Sequence, residues 1–196
     1  MPTFHPTSIS PTTENPTTGM PPTMEPTTQS PTTVEPTTKR PTPPPTESVD
    51  LFGTDYNIRT TISIDHEGDG LSGTLPTELG LLTVLTYLNL NNNQLIGTLP
   101  TELGSLTALN DLRLFMNQLT GTLPTELGSL TALNWLYLSY NQFIGTLPTE
   151  LGSLTALRGL HLSSNQLTGS VPTSVCNLDM TVLELNKEVR CGCSWC

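Results

Sequence analysis

Four cysteines lie near the end of the 196-residue chain, at Cys176, Cys191, Cys193 and Cys196, and none occurs before them. An even number of cysteines confined to one segment favours disulfide bonds in an oxidising compartment, and four cysteines permit three pairings. The alternative chemistry is a zinc site with four thiolates, because C-x-C-x-x-C plus Cys176 supplies enough ligands. No histidine and no second short cysteine pair supports that alternative. We therefore expect disulfides here, and no metal or cofactor elsewhere.

The other residues that could do chemistry are scattered. The histidines are His5, His66 and His161, and no motif places a nucleophile or a carboxylate beside any of them, so we expect no enzyme activity. The segment 65–70, DHEGDG, resembles the start of a calcium loop. Position 12 of such a loop would be Pro76, where a bidentate Glu is required, so the sequence disfavours calcium.

The elements that must position these residues are repeats. The segment GTLPTELGSLTAL begins at Gly97, Gly121 and Gly145, and a variant begins at Gly73, so the period is 24 residues. The pattern L-x-x-L-x-L-x-x-N at this period is the leucine-rich-repeat signature. The chain resembles the plant-type leucine-rich-repeat family, closely over residues 71–178 and loosely over 51–196. The resemblance implies a recognition, adhesion or receptor-ectodomain role, and such proteins often carry a disulfide in the carboxyl-terminal cap.

The repeats predict a right-handed solenoid of about six short parallel strands with short helical turns. A strand at 135–139 would alternate inward leucines with outward variable residues. The expected buried columns are Leu85, Leu109, Leu133 and Leu157, then Leu88, Leu112, Leu136 and Leu160. A structural ladder that bonds backbone groups at the turns is expected from Asn93, Asn117, Asn141 and Asn165. The glutamates at Glu78, Glu102, Glu126 and Glu150 are expected to begin helical turns on the solvated convex side.

Composition divides the chain into a stalk and a repeat domain. Residues 1–50 consist largely of Pro-Thr-Thr units, which predict an extended stalk able to carry O-linked sugars. Residues 51–196 form the repeat domain, with an amino-terminal cap coil at 51–75, four repeats at 76–172 and the cysteine cap at 173–196. The amino-terminal cysteine cap of the family is absent, so Phe52 and Tyr56 are expected to cover the first coil.

The charge of the chain excludes one class of partner. Its net charge is −10 with only seven Lys and Arg, which disfavours nucleic acid. It contains no apolar run of the ~18 residues that a membrane helix needs, and its start lacks the apolar run of a signal peptide. We nevertheless expect an extracellular or cell-surface location, with the signal or anchor outside this sequence. The oligomeric state is left open.

The outward strand positions are where the internal repeats differ, and the scarce aromatic residues collect there. We expect a concave binding face of Tyr87, Arg113, Phe115, Trp135, Tyr137, Tyr140 and His161. The predicted partner is a protein or a cell-surface carbohydrate. Two alternatives are a structural coat protein without a specific ligand, and ice binding through the threonine ladders Thr74, Thr98, Thr122, Thr146 and Thr77, Thr101, Thr125, Thr149.

Overall fold

The computed structural model describes residues 47–194. The predicted stalk up to residue 46, together with Trp195 and Cys196, lies outside the described residues. The first strand begins at Ser48, before the boundary at 51 that composition suggests. In chain order the strands are β1 (Ser48–Leu51), β2 (Thr54–Asn57), β3 (Ser63–Asp65), β4 (Ser72–Thr74), β5 (Tyr87–Asn89), β6 (Gln94–Gly97), β7 (Asp111–Arg113), β8 (Gln118–Gly121), β9 (Trp135–Tyr137), β10 (Gln142–Gly145), β11 (Gly159–His161), β12 (Gln166–Leu167), β13 (Gly169–Ser170), β14 (Val182–Glu184) and β15 (Val189–Arg190).

A short helix lies between β4 and β5, and an equivalent helix leads from each later coil into the next. The 3₁₀ helices are Thr77–Leu81, Thr101–Ser105, Thr125–Ser129 and Thr149–Ser153, and one α-helix, α1, covers Thr173–Cys176. Each begins after a proline with extended backbone, for example Pro124 at φ −69° and ψ 143°. Proline suits this position because its fixed φ is compatible and no backbone N–H is needed there. Within residues 47–194 no helix has the length and apolar character to cross a bilayer.

The first sheet consists of β3, β5, β7, β9, β11 and β14, all parallel, so the expected six strands are confirmed. Each strand pairs with its equivalent one repeat away, as Leu112 does with Leu136. The strands are shorter than expected: β9 ends at Tyr137 rather than at residue 139. The ladder ends there because the backbone turns, with Tyr140 at φ 56°.

The interior is a stack of leucines. Both predicted columns are buried, with Leu85, Leu109, Leu133 and Leu157 in one and Leu88, Leu112, Leu136 and Leu160 in the other. Each fully buried leucine contributes roughly 1.5–3 kcal/mol relative to exposure. Because the neighbouring coil supplies much of the cover, this stabilisation requires stacking.

A second parallel sheet, which the sequence analysis did not predict, follows the first in every repeat. It consists of β4, β6, β8, β10 and β12. Its register differs from that of the first sheet, since Ile96 pairs with Gln118 and Gly97 with Leu119, which are 22 residues apart. A two-residue stagger preserves the alternation of buried and exposed side chains. Equivalent residues of successive coils are therefore offset along this sheet.

The asparagine ladder joins neighbouring coils at the turn between the two sheets. Nδ2 of Asn141 donates to the carbonyl oxygens of Leu114 at 2.9 Å and Leu138 at 3.1 Å, and its Oδ1 accepts from the Leu119 N–H at 3.0 Å. The same contacts recur at Asn117, and Asn93 and Asn165 bond in the same manner. These amides satisfy backbone groups that lack partners in either sheet.

Both ends of the solenoid have their own cover. At the amino end β1 and β2 form an antiparallel hairpin whose Leu51 is 1% exposed. Phe52 and Tyr56 pack against the core as expected, but they are less buried than Leu51. At the carboxyl end β14 extends the first sheet, and a disulfide joins Cys176 to Cys193. Cys191 is also disulfide-bonded. Two sulfurs of the alternative zinc site are therefore bonded to each other.

Candidate functional site

The solvent-facing side of the first sheet carries two columns of aligned side chains. One column contains Tyr87, Asp111, Trp135 and Gly159, and the other contains Asn89, Arg113, Tyr137 and His161. Residues i and i+2 of a strand share a face, so both columns lie on one surface. We call this surface, centred on Tyr87, Arg113, Trp135, Tyr137 and His161, the aromatic face. It contains five of the seven residues of the predicted concave face.

Arg113 is held between two tyrosines. Its guanidinium carbon lies 5.2 Å from the ring centroid of Tyr87 and 5.3 Å from that of Tyr137, within cation–π distance. Its Nε and Nη2 also donate to both carboxylate oxygens of Asp111 at 2.8–3.1 Å. The hydrogen bond with Asp111 is the main reason that the pKa of Arg113 is raised. Arg113 thus remains a cation whose charge is already paired.

Trp135, Tyr137 and His161 form a stack of nearly parallel rings. The ring centroids of Tyr137 and His161 are 4.4 Å apart, and those of Trp135 and Tyr137 are 6.0 Å apart with 12° between the planes. Gly159 makes room for the indole, because a Cβ at that position would lie 2.3 Å from Trp135 Cε3. Sequence reasoning missed this pairing, although a glycine in a column of large residues beside a tryptophan is a usable signal.

His161 is positioned by a carboxylate on the last strand. Its Nδ1 donates to Oε2 of Glu184 at 3.0 Å. Its Nε2 is buried and has no hydrogen-bond partner among residues 47–194. Burial raises the pKa of Tyr137, and Asp111 and Glu184 add to this effect while Arg113 opposes it. Tyr137 therefore presents a neutral hydroxyl at physiological pH.

Phe115 and Tyr140 lie beyond the ends of their strands. Phe115 is partly buried, and its N–H donates to Oδ1 of Asn91 at 2.9 Å. Tyr140 is 59% exposed, and the equivalent Met116 is 49% exposed. Tyr140 and Met116 have positive φ, a left-handed conformation that large side chains seldom adopt. Phe115 and Tyr140 therefore lie next to the aromatic face and are not part of its strands.

In the coil of β5, two positions where the internal repeats differ are buried rather than open to solvent. Asn89 and Asn91 are 2% and 1% exposed. The loop at 65–70 covers them, since the N–H groups of His66 and Gly68 donate to the carbonyls of Asn89 and Asn91. Nδ2 of Asn89 also donates to Asp65 and Glu67, both at 3.0 Å. These two positions therefore hold the cap in place.

Two side-chain hydrogen bonds of His66 hold the loop itself. Its Nδ1 bonds Oδ2 of Asp69 at 2.8 Å, and its Nε2 bonds the hydroxyl of Tyr56. No set of three or more His, Cys, Asp or Glu side chains within the described residues is arranged to bind a metal ion.

Comparison with known proteins places these features in a family. The model of the Leucine Rich Repeat family matches residues 84–106, 132–154 and 156–178. The structure is similar to the leucine-rich-repeat ectodomain of the Arabidopsis thaliana receptor kinase SOBIR1, with 30% identity over 65% of this chain and 72% of that chain, and a TM-score of 0.59. It also resembles a plant ice-binding protein, with 32% identity over 67% of this chain and 42% of that chain, and a TM-score of 0.55.

A third similar structure contains a bound partner. It is the ectodomain of the Arabidopsis thaliana membrane receptor kinase GASSHO1/SCHENGEN3 in complex with CASPARIAN STRIP INTEGRITY FACTOR 2, at 40% identity and a TM-score of 0.62. The match covers 65% of this chain but only 15% of that one, so the chain spans a small part of the larger receptor ectodomains. The comparison with curated proteins gave no match.

Proposed function

Because the chain belongs to the plant-type leucine-rich-repeat family, we propose that it is a non-enzymatic recognition module that binds a protein partner through the aromatic face. The observation that carries the proposal is the stack in which Arg113, Tyr137 and His161 follow one another on adjacent strands beside Trp135. Large rigid aromatic side chains and arginine supply most of the energy at protein interfaces. A similar ectodomain structure with a bound partner supports the same reading.

The ring geometry favours a protein over a carbohydrate. Sugars stack on the open face of an aromatic ring, whereas Tyr137 has Arg113 on the strand at one side and His161 on the strand at the other. The rings therefore present their edges and polar tips to solvent. Such edges suit the mixed apolar and hydrogen-bonding contacts of a protein surface.

The proposed location is extracellular or at a cell surface. The disulfide between Cys176 and Cys193 is of a kind that persists in oxidising compartments, and the similar structures from receptor kinases are ectodomains. The domain division drawn from composition belongs to the same proposal: residues 1–50 are a Thr/Pro-rich segment able to carry O-linked sugars, and residues 51–196 are the repeat domain.

Replacement of the central aromatic pair tests the proposed site. The partner is first identified by screening extracellular protein domains. We expect Trp135→Ala with Tyr137→Ala to weaken binding of that partner by about 2 kcal/mol, roughly a 30-fold rise in Kd. Thermal unfolding should change little, because both residues are only partly buried and cross-strand side-chain pairs contribute about 0.2–1 kcal/mol each. A glycan array screened in parallel distinguishes carbohydrate from protein.

A matched control lies on the side of the short helices. Thr125→Ala with Glu126→Ala removes an exposed pair in which the threonine hydroxyl donates to Glu126 Oε2 at 3.2 Å. Binding should survive this change. If the control substitutions abolish binding and the aromatic substitutions do not, the partner binds the short-helix side, whose sequence is the same in each repeat. The absence of any saturable ligand would favour the coat-protein alternative.

Ice binding is a second candidate because of the similarity to a plant ice-binding protein. In one threonine ladder each hydroxyl donates a hydrogen bond to Oε2 of the glutamate that follows it, at Thr77, Thr101, Thr125 and Thr149. The methyls of Thr74, Thr98, Thr122 and Thr146 face the glycine of the next coil. The stagger of the second sheet places successive members of this ladder roughly 8 Å apart, from a strand spacing of about 4.8 Å and a two-residue offset of about 6.7 Å. That slanted ladder weakens the candidate, and a purified domain without thermal hysteresis would remove it.

A further inference from the structure

The aromatic face has no free positive charge. Among its aligned strand positions within the described residues, Arg113 is the one arginine or lysine, and Asp111 already binds it through two nitrogens. A carboxylate or phosphate of a partner would have to displace Asp111 to pair with it. The face is therefore poorly suited to an anionic group.

Carboxylates are present at both ends of the same surface. Asp65 and Glu67 lie at the first strand, and Glu184 lies on the last. At the aligned strand positions, Asp65, Asp111 and Glu184 face one guanidinium, a net charge of −2 when His161 is neutral, and Glu67 adds a carboxylate beside Asp65. Complementarity of charge favours a cationic partner.

The amino-terminal acidic pair is fixed in place by amides. Asn89 donates to Asp65 and Glu67, and Asn92 donates to Glu67 Oε1 at 3.0 Å. A carboxylate offers about four acceptor positions, so each retains capacity for a further donor. Both side chains are exposed. Two oriented carboxylates with spare acceptor capacity suit the several N–H groups of a guanidinium.

The spacing between this pair and the aromatic centre sets the length of the bound segment. Asp65 and Tyr137 occupy the same column, three strands apart. At about 4.8 Å per strand the separation is roughly 14 Å. An extended chain covers that distance in about four residues, at roughly 3.3–3.6 Å each.

We propose that the partner presents an extended cationic segment across the strands, with a basic residue at Asp65 and Glu67 and an aromatic or aliphatic residue about four positions away against Trp135 and Tyr137. The inference rests on the proposed function and specifies the charge and spacing of what the aromatic face binds. The tyrosines that enclose Arg113 already place a guanidinium beside aromatic rings on this surface. The basic residue of the partner would instead be bound by carboxylates alone, as Arg113 is bound by Asp111.

Short labelled peptides test the charge and the spacing directly. The probes are fluorescein-labelled Gly/Ser peptides with one Arg and one Trp four positions apart, and versions with citrulline or Glu in place of Arg. In low salt the Arg peptide should bind at least tenfold more tightly than the other two by fluorescence anisotropy, and added salt should reduce the difference. An Arg peptide with adjacent Arg and Trp should lose most of the advantage.

Matched variants separate a local site from the general acidity of the protein. Asp65→Asn with Glu67→Gln should lower affinity for the Arg peptide about tenfold, while Glu102→Gln with Glu126→Gln, which removes the same charge from the short helices, should change it less than twofold. Equal losses in both variants would show diffuse attraction and overturn the inference. Equal binding of all three peptides would also overturn it.

The Trp135→Ala, Tyr137→Ala variant keeps this test distinct from the test of the proposed function. If the three peptides bind the wild-type protein equally and all of them need Trp135 and Tyr137, the aromatic face binds without charge preference, and only the inference fails. If the Arg peptide depends on Asp65 and Glu67 but not on the aromatic pair, the acidic site stands and the aromatic face fails as the recognition surface. If no peptide binds while a screened protein partner does, the extended cationic segment is the wrong occupant.

Discussion

Asn141 shows how one side chain can join two coils. Its amide nitrogen and oxygen bond Leu114 and Leu119 of the preceding coil and Leu138 of its own. The two leucine carbonyls each also accept a second hydrogen bond: Leu114 from Nδ2 of Asn117, and Leu138 from Nδ2 of Asn165. The N–H of Leu119 donates to Asn141 Oδ1, whereas the two carbonyls keep a second donor. Most of the stability lost on truncating Asn141 should therefore come from the unpaired N–H of Leu119.

Asn141→Ala should therefore destabilise the domain without acting as a binding mutation. A buried N–H left without a partner costs about 1–3 kcal/mol, and the side chain is itself buried. Asn110→Ala is the matched control, because Asn110 is exposed and both of its side-chain hydrogen bonds lie at the surface. Its Nδ2 donates to the carbonyl of Ala108, and its Oδ1 accepts from Nδ2 of Asn134 in the next coil at 3.0 Å. We expect the control to change the free energy of unfolding in urea by less than about 0.5 kcal/mol. Equal stability of Asn141→Ala and the wild type would show that another group satisfies Leu119.

At the scale of elements, the short helices set how closely the coils approach. A Cβ on Gly128 would lie 2.4 Å from the backbone oxygen of Glu150 in the next coil, and Gly80 and Gly104 have equivalent contacts at 2.6 Å. No rotamer change can move a backbone oxygen, so a side chain at these positions forces the coils apart. These glycines belong to the repeated ELG segment, whose sequence periodicity does not reveal the close contact.

Gly128→Ala should be destabilising even though alanine is the better helix former. Overpacking costs about 1–3 kcal/mol, and the 2.4 Å contact with a backbone oxygen predicts a loss larger than the roughly 1 kcal/mol that alanine gains in helix propensity. Gly192→Ala provides the control, because a Cβ at Gly192 meets nothing within 4 Å. Thermal unfolding of both variants decides the matter: a Gly128→Ala protein as stable as the control would mean that the coils can separate freely.

The repeated elements were predictable from sequence, and the unrepeated ones were not. The two leucine columns recur in every repeat, so their burial follows from alternation in one strand applied to all of them. The second sheet was missed because its strands show only a short alternation, such as Gln94, Leu95 and Ile96, that ends at a glycine. The hairpin that buries Val49 and Leu51 occurs once, so no period identifies it.

The aromatic face was predictable in composition but not in arrangement. Strand alternation places Asp111 and Arg113 on one side, and their i, i+2 spacing allows the ion pair that the structure contains. The order of the stack depends on ring orientations, which sequence does not specify. Asn89 and Asn91 are buried because a loop unique to the first coil folds over them.

At the scale of the whole molecule, stability is distributed along the stack and is weakest at its ends. Each internal coil has two neighbours, whereas the last coil has one, so the carboxyl-terminal cap gains least from packing. There Leu183 and Leu185 are only partly buried, and Val189 pairs Gly169 through the two-residue strands β13 and β15. The disulfide between Cys176 and Cys193 closes this segment at a separation of 17 residues.

Reduction of the disulfides should therefore loosen the cap before it unfolds the domain. Closing a loop of this length stabilises by about 3 kcal/mol in the chain-entropy description, and the loss falls on a coil that is covered on one side only. Hydrogen–deuterium exchange with and without reductant should show lost protection in β14, β15 and α1 while β5, β7 and β9 keep theirs. Uniform loss of protection in all coils would mean that the repeats unfold as one unit, and unchanged protection in the cap would mean that packing of Leu183, Leu185 and Val189 suffices without the disulfide.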